Sequence, residues 1–276
     1  MPSRRTPAIA LALTLGCLVA ALSGCAAGSD PGGAAASDEA AAPASPADAA
    51  PSEPLPPSER CGDTGVESTA MRLPVGDASF DVGVAGEGAT TAIFAHQRNQ
   101  DGCGFWPYAS TLAERGVQVL LVNSCGYGET ECPREANHVV DDGADAILAA
   151  AEWAREHGAE RVVVVGASMG GTAAIVAGGR DGDDGVLDGV VDLSGPLAFR
   201  GYDSLDDAPA LTAPILLAVA PDDTTVGVDE LQQLADATAS DDVTIIADGV
   251  GHGWAMLTTG TAFNAFADRV TAFITG

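Results

Sequence analysis

Apolar and polar positions change period repeatedly along this chain from about Met71 onward. Phe80-Asp81-Val82-Gly83-Val84 alternates with period two, as a half-buried strand does. Thr91 to Ala95 is a short β-prone run, and Trp106 to Arg115 has helical spacing that stops before Gly116. Val117 to Val122 is a continuous β-branched and leucine run, the pattern of a strand buried on both faces. Val139 to His157 reads as a long Ala-rich helix, with Gly158 where a left-handed residue would close it. Arg161 to Val165, with four consecutive valines, reads as a strand that runs into a helix from about Met169. Further strands are expected at Gly189–Leu193, Ile215–Ala220 and Val243–Ala247, with helices from about Val228 and Trp254. Strict alternation of this kind implies an α/β fold: a doubly wound, mostly parallel sheet with helices on both faces.

Ahead of this region the pattern is different. Arg4 and Arg5 precede an apolar run from Ala8 to Leu22, which is shorter than the ~20 residues a membrane-spanning helix needs. Residues 1–24 therefore read as a signal peptide. Leu22-Ser23-Gly24-Cys25 resembles a bacterial lipobox, which implies cleavage before Cys25 and lipidation of that residue. From Ala26 to Arg60 there are seven prolines, no aromatic and one Leu (Leu55). Such a stretch buries too little apolar surface to offset the entropy of ordering, so residues 25–60 read as a lipidated Cys and a disordered tether. Its r.m.s. reach is roughly 30–35 Å. Residues 61–276 are then one folded domain, extracytoplasmic and held to a bacterial membrane only by its lipid anchor.

Charge narrows the partners. The 276 residues carry a formal net charge of −27, of which −24 lies on residues 61–276. A field this negative repels phosphate backbones, so no nucleic acid is expected as a partner. A monomer is expected.

Candidate chemistry begins after the four valines, at Gly166-Ala167-Ser168-Met169-Gly170, a G-x-S-x-G at a strand-to-helix turn. A sharp turn that lifts Ser168 clear of the sheet leaves no room for a Cβ at the flanking positions. The helix behind it supplies oriented N–H groups suited to a developing oxyanion. A nucleophilic Ser needs a base, and the base an orienting acid. His252, between the last strand and the last helix, stands in the order Ser, acid, His. His96, His138 and His157 read as structural or surface residues. For the acid, Asp223 and Asp222 follow the strand at Ile215–Ala220, with Asp192 as an outside candidate.

These residues resemble the α/β-hydrolase superfamily, over about Val66 to Gly276, in particular its esterase-like and dienelactone-hydrolase-like members. The resemblance favours Asp223 over Asp222, since the acid usually stands three residues before a Val. It implies an oxyanion hole made by the N–H of Met169 and that of Gln97 or Arg98, with Gln97 departing from the usual Gly. Dienelactone-hydrolase-like relatives use Cys as nucleophile, and Ser168 argues against that particular chemistry. The implied activity is a serine hydrolase that cleaves a small ester-like substrate through an acyl-enzyme. Alternatives are a non-catalytic binding lipoprotein that keeps the fold, or a peptidase or other acyl hydrolase. Only about twenty residues separate Leu193 from Ile215, where lid domains are often inserted, so no large cap domain is expected and the pocket should be open.

After Cys17 and Cys25, four cysteines remain: Cys61, Cys103, Cys125 and Cys132. An even number in an oxidising compartment points to disulfides. Because Cys103 and Cys125 follow strands that are neighbours in this fold, the expected pairs are Cys103–Cys125 and Cys61–Cys132. No metal or cofactor signature is found. Asp181, Asp183, Asp184 and Asp188 look like a calcium loop, but Val186 replaces the required Gly and no Glu closes it.

Overall fold

The computed structural model describes residues 53–133, 139–182, 185–259 and 264–276. The signal peptide, Cys25, most of the tether, His138, Asp183 and Asp184 lie outside the described residues.

The elements in chain order are α1 (Pro57–Arg60), β1 (Ser68–Val75), β2 (Ala78–Ala85), β3 (Thr90–Ala95), α2 (Trp106–Ala113) and β4 (Gln118–Val122). Then come α3 (Val139–Glu156), β5 (Arg161–Ala167), α4 (Met169–Asp181), β6 (Gly189–Leu193) and a two-residue hairpin, β7 (Ala198–Phe199) with β8 (Tyr202–Asp203). The chain ends with α5 (Ser204–Asp207), β9 (Ile215–Val219), α6 (Val228–Ala237), β10 (Val243–Ala247), α7 (Ala255–Thr258) and α8 (Ala265–Thr275). Eight strands form one sheet in the order β1-β2-β4-β3-β5-β6-β9-β10. β1 and β2 pair antiparallel, as do β2 and β4, and all other pairs are parallel.

The alternating side chains of β5 show why the sheet is covered twice. Val162 and Val164 join one buried cluster with Ile147 of α3, Ile175 of α4 and Leu231 of α6. Val163 and Val165 point the other way, into a cluster with Leu112 of α2 and Phe266 and Val270 of α8. A strand with apolar residues at every position can bury them only between two helical layers. The doubly wound architecture expected from the sequence is therefore the observed one. Between β6 and β9 the chain forms only the small hairpin, α5 and a short 3-10 turn, with no large cap inserted.

The described fold begins before Cys61, earlier than composition implies. The Pro57 ring packs flat on Gly83, where an added Cβ would lie 2.3 Å from it. Arg60 pairs with Asp81, whose side chain is fully buried on β2. Asp81 Oδ2 also accepts hydrogen bonds from Asn123 Nδ2 and the Glu129 N–H, both at 3.0 Å. A buried carboxylate needs such partners, so the segment that supplies Arg60 belongs to the fold.

The disulfides correct the expected pairing. They are Cys61–Cys103 and Cys125–Cys132, with Cα–Cα distances of 4.9 and 5.7 Å. The end of β3 is indeed beside the end of β4, but Cys103 lies well past that end, in a 3-10 turn (Gly102–Gly104). That turn meets the N-terminal segment, where Trp106 Nε1 donates to the Gly62 carbonyl at 2.8 Å. Cys125 and Cys132 instead bracket a loop that folds back so that Glu131 bridges Ser79 of β2. Two disulfides fit an oxidising compartment. Among the described residues, no helix is long and apolar enough to cross a membrane.

Candidate active site

The sequence-predicted residues converge at the carboxyl edge of the parallel strands, where ligands of open α/β sheets bind. Ser168 sits between β5 and α4 at φ 50°, ψ −116°, outside the favoured regions for a non-glycine residue. Its neighbours explain how the turn closes. A Cβ on Gly166 would lie 2.1 Å from the Gly170 carbonyl oxygen, and one on Gly170 would lie 2.1 Å from that of Ala95. Only glycine permits either approach. The Ser168 N–H donates to the Leu193 carbonyl at 2.9 Å, tying the turn to β6. Its hydroxyl makes no capping bond to α4, so it is not consumed by its own helix.

His252 lies in the loop between β10 and α7. Its Nδ1 is 2.8 Å from Asp223 Oδ2, in the turn after β9. The Asp223 side chain is fully buried, whereas that of His252 is 27% exposed. Asp223 Oδ1 accepts from the Thr225 and Val226 N–H groups at 2.8 and 3.3 Å. Burial alone would raise this carboxyl. Hydrogen bonds from the Thr225 N–H, His252 and the Ser194 hydroxyl outweigh it and hold the group below the usual carboxylate range. The carboxylate is thus the form that faces the imidazole at neutral pH. Asp222 takes a different part: its Oδ1 accepts the Gly251 N–H at 2.9 Å and braces the loop ahead of His252.

Asp192 is fully buried on β6, with Oδ1 accepting the Gly195 N–H at 2.7 Å. It lies against Gly171 and Gly195, beneath the elbow. The other histidines separate in the same way. His96 is buried, and both its ring nitrogens are engaged by the backbone: Nδ1 with the Gln97 carbonyl at 2.8 Å and Nε2 with the Ser124 N–H at 3.0 Å. Burial lowers its pKa, so it is held neutral as a structural link between two loops. His157 is exposed and stacks on Trp153 at 3.9 Å.

Of the residues expected to form an oxyanion hole, Met169 opens α4, where N–H groups lack intrahelical partners. Gln97 and Arg98 follow β3. Arg98 is exposed, with Nε 3.3 Å from Asn99 Oδ1. The Gln97 Oε1 is buried without a hydrogen-bond partner. A Cβ on Gly253 would lie 2.3 Å from that oxygen and 3.2 Å from the Ala167 Cβ, so the loop carrying His252 packs between Gln97 and the residue before Ser168. Among the described residues, the Ser168 hydroxyl forms no hydrogen bond with the His252 ring. In ligand-free enzymes such a bond often tightens only when substrate arrives.

Ser194 is a candidate site residue that the sequence alone does not single out. It is fully buried at φ 58°. Its Oγ accepts the Gly253 N–H at 3.3 Å, its hydroxyl faces Asp223, and its own N–H donates to the Ala218 carbonyl at 2.8 Å. One side chain thus joins Asp223 to the residue after His252. The available signal was a small polar residue immediately past a fully apolar strand, ahead of Gly195-Pro196.

With this geometry in view, the chain can be set beside known proteins. The model of the dienelactone hydrolase family matches residues 128–270, just over half of the 276. The chain belongs to the dienelactone hydrolase family. This family member is therefore a hydrolase, and its substrate class is a small molecule. No curated protein matches it in sequence. Among solved structures, an esterase from Pyrococcus furiosus is similar with a TM-score of 0.66 at 17% identity, covering 79% of this chain and 93% of that one. A dienelactone hydrolase from Anabaena variabilis gives 0.59 at 18% identity, covering 76% and 97%. A proline iminopeptidase from Mycobacterium smegmatis gives 0.58 at 16%, covering 75% and 98%. Identities this low show the α/β-hydrolase fold and nothing about substrate.

Proposed function

We propose that this hydrolase is a serine esterase that cleaves an ester-like acyl bond through an acyl-enzyme. The His252–Asp223 hydrogen bond carries the reading, because a buried carboxylate oriented on Nδ1 leaves Nε2 to act as the base. In this reading Ser168 Oγ attacks the carbonyl while His252 takes its proton. The N–H of Met169 and that of Gln97 or Arg98 receive the oxyanion. His252 then returns the proton to the leaving alcohol, and water releases the acyl group by the same route in reverse. The structural likeness to a Pyrococcus esterase supports the class, and the Ser nucleophile favours it over thiol chemistry.

The tether and lipobox belong to the same proposal: cleavage before Cys25, lipid attachment there, and a domain held outside a bacterial membrane. A fluorophosphonate probe tests the chemistry. Wild-type protein should label and turn over p-nitrophenyl esters, and a folded Ser168→Ala variant should do neither. Equal labelling of both would remove Ser168 from the reaction. Replacing Cys25 by Ser should release the protein from the membrane fraction; unchanged retention would contradict the anchor.

A further inference from the structure

A cleft of about 580 Å3 opens beside the proposed oxyanion loop, lined by Asn99, Gln100, Asp101, Cys103, Tyr127 and Gly128 among others. This volume is within the range of small-molecule sites, ~300–1,000 Å3. None of the proposed catalytic residues lines the cleft, but its wall connects to them at two points. Asn99 stands two residues after Gln97, which touches the His252 loop at Gly253. Gly104, on the same wall, lies flat against the indole of Trp254, two residues after His252.

Both walls are built. The first carries the Cys61–Cys103 disulfide, the Asp101 Oδ1 bond to the Cys103 N–H at 3.0 Å, and the Asn123 Oδ1 bond to the Gly102 N–H at 2.8 Å. The second is closed by Cys125–Cys132 and by the Tyr127 N–H bond to the Ser124 carbonyl at 3.0 Å. Tyr127 joins them: its OH accepts the Asn99 N–H at 3.1 Å, and its ring meets the His96 ring edge-on at 4.7 Å. A cleft braced by two covalent links binds without the cost of ordering its walls.

Its chemistry is specific. The lining offers the carboxamides of Asn99 and Gln100 and a phenol, groups that donate and accept without carrying charge. Its one ionisable acid, Asp101, already caps the 3-10 turn and stands 3.9 Å from Arg60 Nε. Among the described residues no arginine lines the cleft to meet an anion, and the chain's net charge of −27 opposes one. Asn99 Oδ1 already faces Arg98 Nε at 3.3 Å and the Tyr127 oxygen already accepts the Asn99 N–H, so a ligand meets the two carboxamide NH2 groups, the Gln100 oxygen and the Tyr127 hydroxyl hydrogen, none of which an alkyl chain can partner. A group whose every edge both donates and accepts hydrogen bonds matches this lining.

We propose that the cleft holds the alcohol side of the substrate and takes a neutral polyhydroxylated group, a sugar ring or polyol esterified through one hydroxyl. This rests on the serine-esterase reading. The acyl group passes to Ser168 Oγ, the ester C–O bond breaks, and the sugar oxygen leaves with the proton held by His252. Water then cleaves the acyl-enzyme.

The test compares the full mature chain on a monoacetylated methyl xyloside and on ethyl acetate, following acetate release. The sugar ester should have a kcat/KM at least tenfold higher. Gln100→Ala and Tyr127→Phe should each reduce that ratio severalfold, mainly through KM for the sugar ester. Gln100 is exposed, so its replacement leaves the fold intact. Fluorophosphonate labelling and ethyl acetate turnover with a ratio near one would overturn the cleft proposal alone, as would a ratio that neither variant changes. Absence of labelling and of turnover on both esters would overturn the esterase reading and this inference with it.

Discussion

Asp192 offers a quantitative test of how the fold treats a buried carboxyl. It is wholly enclosed on β6 with the Gly195 N–H on Oδ1. Burial pushes its carboxyl up from 3.8 to about 7, and that hydrogen bond offsets only part of the rise. In the unfolded chain the group ionises near its ordinary value, whereas in the fold it stays protonated until near neutrality. Between those points the folded state binds more protons than the unfolded one, so stability falls as pH rises and levels off above about 7. The gap is about 3 units at ~1.4 kcal/mol each, or about 4 kcal/mol in all. Asp192→Asn keeps the Oδ1 acceptor and the shape but never ionises, so it should lack this decline. Urea unfolding at pH 5, 6, 7 and 8 reads the effect. The variant's advantage over wild type should grow by about 2 kcal/mol between pH 5 and 7 and by less than ~0.5 kcal/mol more to pH 8. A stability difference independent of pH would refute the reasoning, because the carboxyl would then ionise alike in both states.

Ser194→Ala removes the hydroxyl that joins Asp223 to Gly253 and should lower kcat about tenfold with KM little changed, near the ~1.4 kcal/mol of one hydrogen bond. Ser194→Gly suits the positive φ and still lacks the hydroxyl, so it should be as slow; recovery with Gly would trace the defect to backbone strain instead. Replacing Cys61 and Cys103 together by Ala opens a link spanning 42 residues and should cost about 4 kcal/mol, against about 2 for Cys125 and Cys132, which span 7; denaturant midpoints of the two double variants should rank in that order. Gly104→Ala would set a Cβ 2.2 Å from the Trp254 ring and should lower Tm by an overpacking cost of about 1–3 kcal/mol, with a changed tryptophan emission; an unchanged Tm would show that the indole can move aside.

Much of the molecule follows from local pattern. The four valines of β5 demand two apolar layers, and the alternation of strand and helix demands crossovers, which together dictate a mostly parallel sheet. Gly166, Ser168 and Gly170 were legible because an elbow imposes its steric rule within five residues. Asp223 and His252 were legible because each follows a strand in the expected order; the resemblance favoured Asp223 over Asp222, and it is Asp223 whose side chain lies 2.8 Å from His252 while Asp222 holds the Gly251 N–H. What distant segments decide between them was not legible. Nearness of strand ends suggested Cys103 with Cys125, but the 3-10 turn carries Cys103 toward Gly62 and the N-terminal segment instead. Composition assigned Pro57–Arg60 to the tether, yet the partner that Asp81 needs once buried holds that segment in the fold. Ser194 and Tyr127 gained their places from hydrogen bonds to residues 59 and 28 positions away. Short-range sterics and periodicity are written in neighbouring residues, whereas the partner of a buried charge, a thiol or a hydroxyl is chosen by which backbones the finished sheet brings together.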